Sequence, residues 1–146
     1  MDAEGWMRHA LRLAACGLGQ VWPNPTVGCV IVKGGRLLGQ AWTQPGGRPH
    51  AETEALAEAG SAARGATAFV TLEPCAHTGR TGPCAAALAK AGIGRVVQSH
   101  DDPAPRDAGR GRARLYAATT MPLTLARRTG TLVAGANVGL VSAWAA

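Results

Sequence analysis

The chain has 146 residues, 47% of them hydrophobic and 16% charged, which suffices for one domain with a buried core and excludes a disordered chain. No run of 18 apolar residues occurs and Met1 to Glu4 carry no basic leader, so we expect neither a membrane span nor secretion. The net charge of +6 favours an anionic partner, either a phosphorylated metabolite or a nucleic acid.

The order of the predicted elements is typical of an α/β protein. Periodic apolar positions indicate helices, β-branched runs indicate buried strands, and Gly and Pro mark the turns. In chain order the sequence predicts helix 2–16, strand 26–32, strand 37–42, helix 51–59, strand 66–72, helix 83–91, strand 95–99 and helix 109–118. We therefore predict a three-layer α/β/α sandwich around a central mixed sheet.

Three local patterns refine this prediction. Asp2 is suited to cap the first helix, whose buried side we expect to contain Met7, Leu11, Ala14 and Leu18. The glycine pair in Lys33-Gly34-Gly35-Arg36 is typical of a tight hairpin turn. Trp22-Pro23-Asn24-Pro25 predicts a rigid turn, because each proline restricts the residue before it.

The carboxyl-terminal pattern is weaker beyond about Thr120. A short strand at 131–133 and a closing helix or strand at 138–144 are the elements it suggests. We expect residues 1–146 to form a single domain, with a divergent part from about 119 to 146.

Four cysteines in such a chain are typical of metal ligands and spare thiols and not of a disulfide framework. This cysteine usage predicts a reducing, cytoplasmic location.

Three short motifs carry the chemistry: His50-Ala51-Glu52, Glu73-Pro74-Cys75, and Cys84. One imidazole and two thiols suit a catalytic zinc whose fourth position stays open for water. A carboxylate two residues after the histidine can take a proton from that water and deliver it to a leaving amine. We therefore predict Zn²⁺ held by His50, Cys75 and Cys84, with Glu52 as the catalytic acid and base.

The predicted elements place these residues where they can meet. His50 lies at the start of one helix, Cys75 at the end of a strand, and Cys84 in the first turn of the next helix. The partial positive charge at helix amino termini favours the thiolate over the thiol. Residues two apart diverge on a regular helix, so His50 and Glu52 share a pocket only at its entry turn.

Two other interpretations of these residues remain. The zinc site is a structural one if Cys16, Cys29 or His77 supplies a fourth ligand. Alternatively, the histidine and the cysteines never meet.

Five segments together resemble one known family. They are 23–32, 49–52, 65–84, 102–105 and 108–111, and they cover about residues 1–118 in register. The family is the deaminase half of the bacterial riboflavin-biosynthesis bifunctional protein, diaminohydroxyphosphoribosylaminopyrimidine deaminase, in the cytidine deaminase-like superfamily. Its long spacing between the two cysteines, here the eight residues Ala76 to Pro83, separates it from cytidine and tRNA adenosine deaminases.

The resemblance implies an activity, a fold and an assembly. The fold would be cytidine deaminase-like, with zinc on the same three ligands and Glu52 as proton shuttle. The reaction would be hydrolysis of the 2-amino group of 2,5-diamino-6-(5-phosphoribosylamino)pyrimidin-4(3H)-one, giving the 5-aminouracil and ammonia. The partner would then be a small phosphorylated aminopyrimidine. The protein itself would be a homodimer. We expect no reductase domain within these 146 residues.

The resemblance also implies four substrate contacts. Asn24 would contact the pyrimidine, His77 and Arg80 would face the substrate with Arg80 on the phosphate, and Asp102 would approach the ribose or the ring edge. Each has a structural alternative: Asn24 and Asp102 as turn residues, His77 as a histidine satisfied by protein hydrogen bonds, and Arg80 as a solvated cation.

Three positions depart from the family pattern: Thr43 where His is frequent, Ala76 where Ser or Asn is usual, and Ala104 where Asn is frequent. They leave open a zinc deaminase that acts on another aminated heterocycle, a nucleotide or a nucleic-acid base. A third possibility is a non-catalytic zinc- or nucleic-acid-binding module that uses the basic segment 109–114. With one Phe and one Tyr in the chain, stacking on single strands is the less expected mode.

Overall fold

The computed structural model describes residues 1–104, 108–118 and 123–125. Its helices are α1 (Ala3–Cys16), α2 (Ala51–Ala59), α3 (Cys84–Lys90) and α4 (Arg110–Ala118), and its strands are β1 (Gly28–Lys33), β2 (Arg36–Trp42), β3 (Thr67–Val70), β4 (Arg95–Gln98) and β5 (Leu123–Leu125). Two short 3₁₀ turns, Pro45–Gly47 and Gly60–Ala63, flank α2.

The strands form one sheet in the order β2-β1-β3-β4-β5. Strand β1 is antiparallel to both β2 and β3, whereas β3, β4 and β5 are parallel to one another. The β1–β2 hairpin turns at Gly34 and Gly35, whose φ angles of 57° and 76° lie in the left-handed region that glycine adopts without steric cost. The predicted mixed sheet and hairpin are confirmed.

Alternate strand residues point to opposite faces of the sheet, and each face is covered by helices. On one face, α1 packs on Val30, Val32, Phe69 and Val97. On the other, buried residues of α2, α3 and α4 pack with Cys29, Ile31, Ala68, Val70 and Val96. The two buried clusters make the predicted three-layer sandwich, with the sheet as its middle layer.

Helix α1 shows how local sequence fixes one of these layers. Asp2 caps it, because its Oδ1 accepts a hydrogen bond of 2.8 Å from the amide of Gly5. Met7, Leu11 and Ala14 are buried as predicted. The prediction for Leu18 was wrong: its side chain is 50% exposed, because the helix ends at Cys16 and the next turn no longer faces the sheet.

Two strands differ from the sequence prediction. Strand β3 is shorter than the predicted 66–72, so Cys75 lies in the following loop and not at the strand end. The sequence pattern did not predict β5, whose three residues pair in parallel with β4. The elements predicted at 131–133 and 138–144 lie outside the described residues. Within the described part of the chain, no helix has the length and apolarity needed to cross a membrane.

Candidate active site

The three predicted metal ligands meet at the edge of the sheet where β3 and β4 end. His50 is the N-cap residue of α2, Cys75 lies in the loop after β3, and Cys84 is the first residue of α3. Loops at the carboxyl ends of parallel strands are the usual place for sites in α/β folds. Residues from three separate parts of the sequence are thereby brought into one cleft.

The donor atoms of these residues face one another. His50 Nδ1 lies 3.3 Å from Cys84 Sγ and 3.8 Å from Cys75 Sγ, and all three donor atoms lie within 4.8 Å of one another. A tetrahedral zinc with Zn–S near 2.3 Å and Zn–N near 2.0 Å would separate such donors by roughly 3.5–3.8 Å. The two N–S distances lie on either side of the lower end of this range, which is the value for an N–S pair, so the donor set fits Zn²⁺.

The cysteine pair is poised to supply thiolate. The amide N–H of Cys84, at the amino terminus of α3, donates a hydrogen bond of 3.2 Å to Cys75 Sγ. The hydrogen bond from the Cys84 thiol, followed by that from His50, lowers the pKa of Cys75 to about 4. The pKa of Cys84 is raised because its thiol donates to Cys75 and because it is buried. Metal ions bind cysteine as the thiolate, so a divalent cation bound here would displace the thiol proton.

Glu52 is buried beside the metal ligands. It is the second residue of α2, and its side chain is only 4% exposed. Burial raises the pKa of Glu52 to about 7, which puts its proton exchange near neutral pH. The extended backbone of His50, with φ −71° and ψ 155°, turns its imidazole toward the same pocket, as the entry-turn argument predicted. The three candidate metal ligands and a buried carboxyl with a pKa near neutral thus share one cleft.

None of the three candidate fourth ligands belongs to the donor cluster. Cys16 is exposed, and its thiol contacts the carbonyl oxygen of Arg12 at 3.6 Å. Cys29 is fully buried within the sheet core. His77 lines the cleft but is not part of the donor cluster, which among the described residues consists of His50, Cys75 and Cys84. An open coordination position is what a catalytic zinc requires.

Three of the four predicted substrate-binding residues line the cleft: Asn24, His77 and Asp102. The fourth, Arg80, lies exposed on the loop between the two cysteines and is not among the lining residues. The Nδ2 of Asn24 donates a hydrogen bond of 2.8 Å to the carbonyl oxygen of Gly47, so this side chain also ties two loops of the cleft wall together.

Three further lining residues were not assigned to the site by the sequence: Thr43, Arg48 and Glu73. Thr43 is buried, and its Oγ1 accepts a hydrogen bond of 2.9 Å from Val27 N–H and donates one of 3.2 Å to the carbonyl oxygen of Pro25. Arg48 stands two residues before His50, a proximity that was visible in the sequence but carried no motif.

Glu73 has a structural task within the cleft wall. Its Oε2 accepts hydrogen bonds from the amides of Asp102 at 3.1 Å and Gly109 at 3.0 Å, and its Oε1 accepts one of 3.0 Å from Arg112. Its carboxylate therefore caps the amino terminus of α4, where partial positive charge favours an anion. No local sequence pattern reveals this contact, since the partners lie 29 to 39 residues away.

Comparison with known proteins agrees with this geometry. Residues 1–100 match the profile of the cytidine and deoxycytidylate deaminase zinc-binding region. The chain is 55% identical over 118 residues to riboflavin biosynthesis protein RibD of Escherichia coli K12, a match that covers 81% of this chain and 32% of that protein. It thus spans about a third of that relative's length.

A shorter relative is covered over most of its length. The chain is 50% identical over 106 residues to the diaminohydroxyphosphoribosylamino-pyrimidine deaminase of Buchnera aphidicola from Acyrthosiphon pisum, which covers 73% of this chain and 72% of that one. Among solved structures, form 1 of Acinetobacter baumannii RibD superposes with a TM-score of 0.87 at 47% identity, covering 97% of this chain and 39% of that one.

Proposed function

The chain belongs to the cytidine and deoxycytidylate deaminase zinc-binding family and, within it, to the riboflavin-biosynthesis deaminases, and on that premise we propose that it hydrolyses an amino group from a phosphorylated aminopyrimidine. The substrate we propose is 2,5-diamino-6-(5-phosphoribosylamino)pyrimidin-4(3H)-one, and the products are the 5-aminouracil and ammonia. The observation that carries the proposal is the buried carboxyl of Glu52 beside the His50, Cys75 and Cys84 donor cluster.

The chain's own residues divide the work of this reaction. His50, Cys75 and Cys84 would hold the zinc, which when bound supplies a water of pKa ~7 instead of 15.7. Glu52 accepts a proton from the attacking water, since burial raises its pKa to about 7 and keeps the proton exchangeable at neutral pH. It delivers that proton to the ring nitrogen, then takes the second proton from the hydroxyl added to the ring carbon and delivers it to the departing amine, so one carboxyl acts in turn as base and as acid.

The cleft walls would orient the ring. Asn24, His77 and Asp102 line the cleft, which supports the roles that the family resemblance implies for them. The side chains of Glu52, Leu72 and Thr43 are at most 7% exposed, so the inner end of the cleft is shielded from bulk water. Electrostatic effects on the reacting atoms are larger in such surroundings.

The test is release of ammonia by the zinc-loaded protein from the diaminopyrimidine phosphoriboside. We expect turnover that Glu52→Ala abolishes while zinc stays bound. Turnover of cytosine or guanine compounds, with the phosphoriboside inert, would instead assign the chain to another aminated heterocycle. That outcome would contradict the proposed substrate and leave the zinc chemistry in place.

A nucleic-acid-binding module is less well supported by the basic segment 109–114. Arg112 pairs with Asp101 at 3.3 Å, and the guanidinium of Arg114 donates to the carbonyl oxygen of Ala76. Two cations of this segment therefore contact the protein itself and do not form an open phosphate-binding row.

We also propose that the protein forms a homodimer and acts in the cytoplasm. The family resemblance supports the assembly, and the cysteine usage of the sequence supports the location. Light scattering of the zinc-loaded protein at micromolar concentration tests the assembly, and a monomer mass would contradict it.

A further inference from the structure

The lining of the cleft is unevenly charged. Among the described residues that line it are three acids, Glu52, Glu73 and Asp102, and one Lys or Arg side chain, that of Arg48. A doubly charged phosphate is repelled by carboxylates in a partly enclosed site. The position beside Arg48 is therefore the favourable one for an anionic group that enters this cleft.

The guanidinium of Arg48 is held in place by the loop between the two cysteines. Its Nη1 donates a hydrogen bond of 2.8 Å to Thr81 Oγ1. A guanidinium has five N–H donors, so this bond leaves donors for a bidentate contact with phosphate oxygens. Anchoring by Thr81 also reduces the side-chain entropy that the arginine would lose on binding.

The neighbouring loop leaves room for this guanidinium at Gly79. A Cβ at that position would come within 2.9 Å of Arg48 Nη2. Any side chain there would displace the end of the arginine, which is flexible and can shift without disturbing the backbone. A Gly79→Ala variant thus moves the cation while it keeps the net charge.

We propose that Arg48 is the residue that recognises the phosphate of the substrate and sets the preference for a phosphorylated aminopyrimidine over its dephosphorylated riboside. This inference rests on the proposed function and refines it. It assigns the phosphate to the guanidinium of Arg48, which Thr81 anchors, in place of the exposed Arg80 that the family resemblance suggested.

The test compares kcat/KM for the phosphoriboside and the riboside in the zinc-loaded full chain. We expect Arg48→Ala to reduce the wild-type preference for the phosphoriboside by about 10- to 100-fold, mainly through KM. Arg48→Lys should cause part of that loss, because lysine lacks the planar guanidinium that binds two phosphate oxygens at once. Gly79→Ala should also cause part of it, because the added Cβ displaces the guanidinium. Arg36→Ala, which removes an exposed cation at the opposite end of the sheet, should keep the preference.

An unchanged preference in Arg48→Ala, or a loss confined to Arg80→Ala, overturns the inference. A second measurement separates it from the proposed function: calorimetric binding of ribose 5-phosphate to the zinc-loaded wild type and Arg48→Ala proteins. If wild type turns over neither pyrimidine but binds this probe through Arg48, the proposed substrate fails and the phosphate site stands. If the two proteins bind the probe equally, the phosphate site fails. Circular dichroism and zinc content confirm that each variant is folded.

Discussion

Glu73 Oε1 accepts a hydrogen bond of 3.0 Å from the amide of Arg112, which lies 39 residues later in the chain. The same carboxylate also accepts from Gly109, and Gly109 has no side-chain oxygen with which to cap α4 itself. Gly111 lies against the loop: a Cβ there would come within 1.9 Å of the carbonyl oxygen of Pro74. The hydrogen bonds of Glu73 and the close packing of Gly111 thus hold the loop that carries Cys75 against the amino terminus of α4.

These hydrogen bonds predict that Glu73→Ala lowers the free energy of unfolding. The substitution leaves amide donors of Asp102, Gly109 and Arg112 without their acceptor, so we expect the free energy of unfolding to fall by about 1–3 kcal/mol. Glu73→Gln keeps one acceptor oxygen and should lose about half as much. Urea denaturation followed by circular dichroism measures both.

The matched control is Glu54→Ala, a partly buried acid in the first turn of α2, which should change the free energy of unfolding by ~0.5 kcal/mol or less. Equal stability of Glu73→Ala and the control would show that the α4 cap is not needed.

Glu52→Gln should separate metal binding from proton transfer. The glutamine side chain has nearly the shape of the carboxyl but cannot act as an acid or a base at pH 7, so we expect turnover of the phosphoriboside to fall by about 10²- to 10⁴-fold. Zinc content, measured by plasma mass spectrometry, should stay at one per chain, because Glu52 is not one of the three donors. Glu54→Gln, two residues further along α2, should keep both activity and zinc. Retained activity in Glu52→Gln would remove this residue from the mechanism.

Removal of a donor should remove the metal. Cys84→Ala leaves two donors, so we expect a large loss of zinc affinity. Mutation of a residue that only hydrogen-bonds to a metal ligand lowers metal affinity by ~10- to 100-fold, and loss of a ligand itself should cost more. Cys16→Ala takes away a thiol that is exposed and is not part of the donor cluster, and it should bind zinc like wild type. Competition with a fluorescent zinc chelator gives both affinities. Full zinc affinity in Cys84→Ala would mean that the cluster is not the metal site.

Local sequence patterns predicted most of the fold and the three candidate metal donors that the structure brings together. The bounds of α2 and the hairpin turn were predicted correctly, because apolar periodicity and the glycine pair at 34 and 35 act over a few residues. The His50, Cys75 and Cys84 donors were predictable because metal chemistry restricts residue types strongly. That these donors would lie close together was predicted from the alternation of helices and strands, which places each donor at the start of a helix or after the end of a strand.

What the sequence did not reveal depends on contacts between distant segments. The cap that Glu73 gives to α4 and the bond from Arg48 to Thr81 join residues 33 to 39 positions apart with no repeating pattern between them. Strand β5 has three residues and is defined by its pairing with β4, so periodicity had nothing to detect. Leu18 fits the apolar stripe of α1 by spacing alone, and the early end of the helix exposes it.

The four cysteines should differ sharply in reactivity toward a disulfide reagent. Cys29 is fully buried, and burial, followed by the nearby charge of Glu52, raises its pKa well above the usual thiol range. Since the thiolate is the reactive form, raising the pH toward 8 exposes little Cys29 thiolate in the folded protein. We expect one fast thiol per zinc-loaded chain, that of Cys16, and none in Cys16→Ser. Removal of zinc with a chelator should make Cys75 and Cys84 reactive as well, and denaturation should make Cys29 reactive. Fast modification of Cys29 in the folded, zinc-loaded protein would contradict its place in the core.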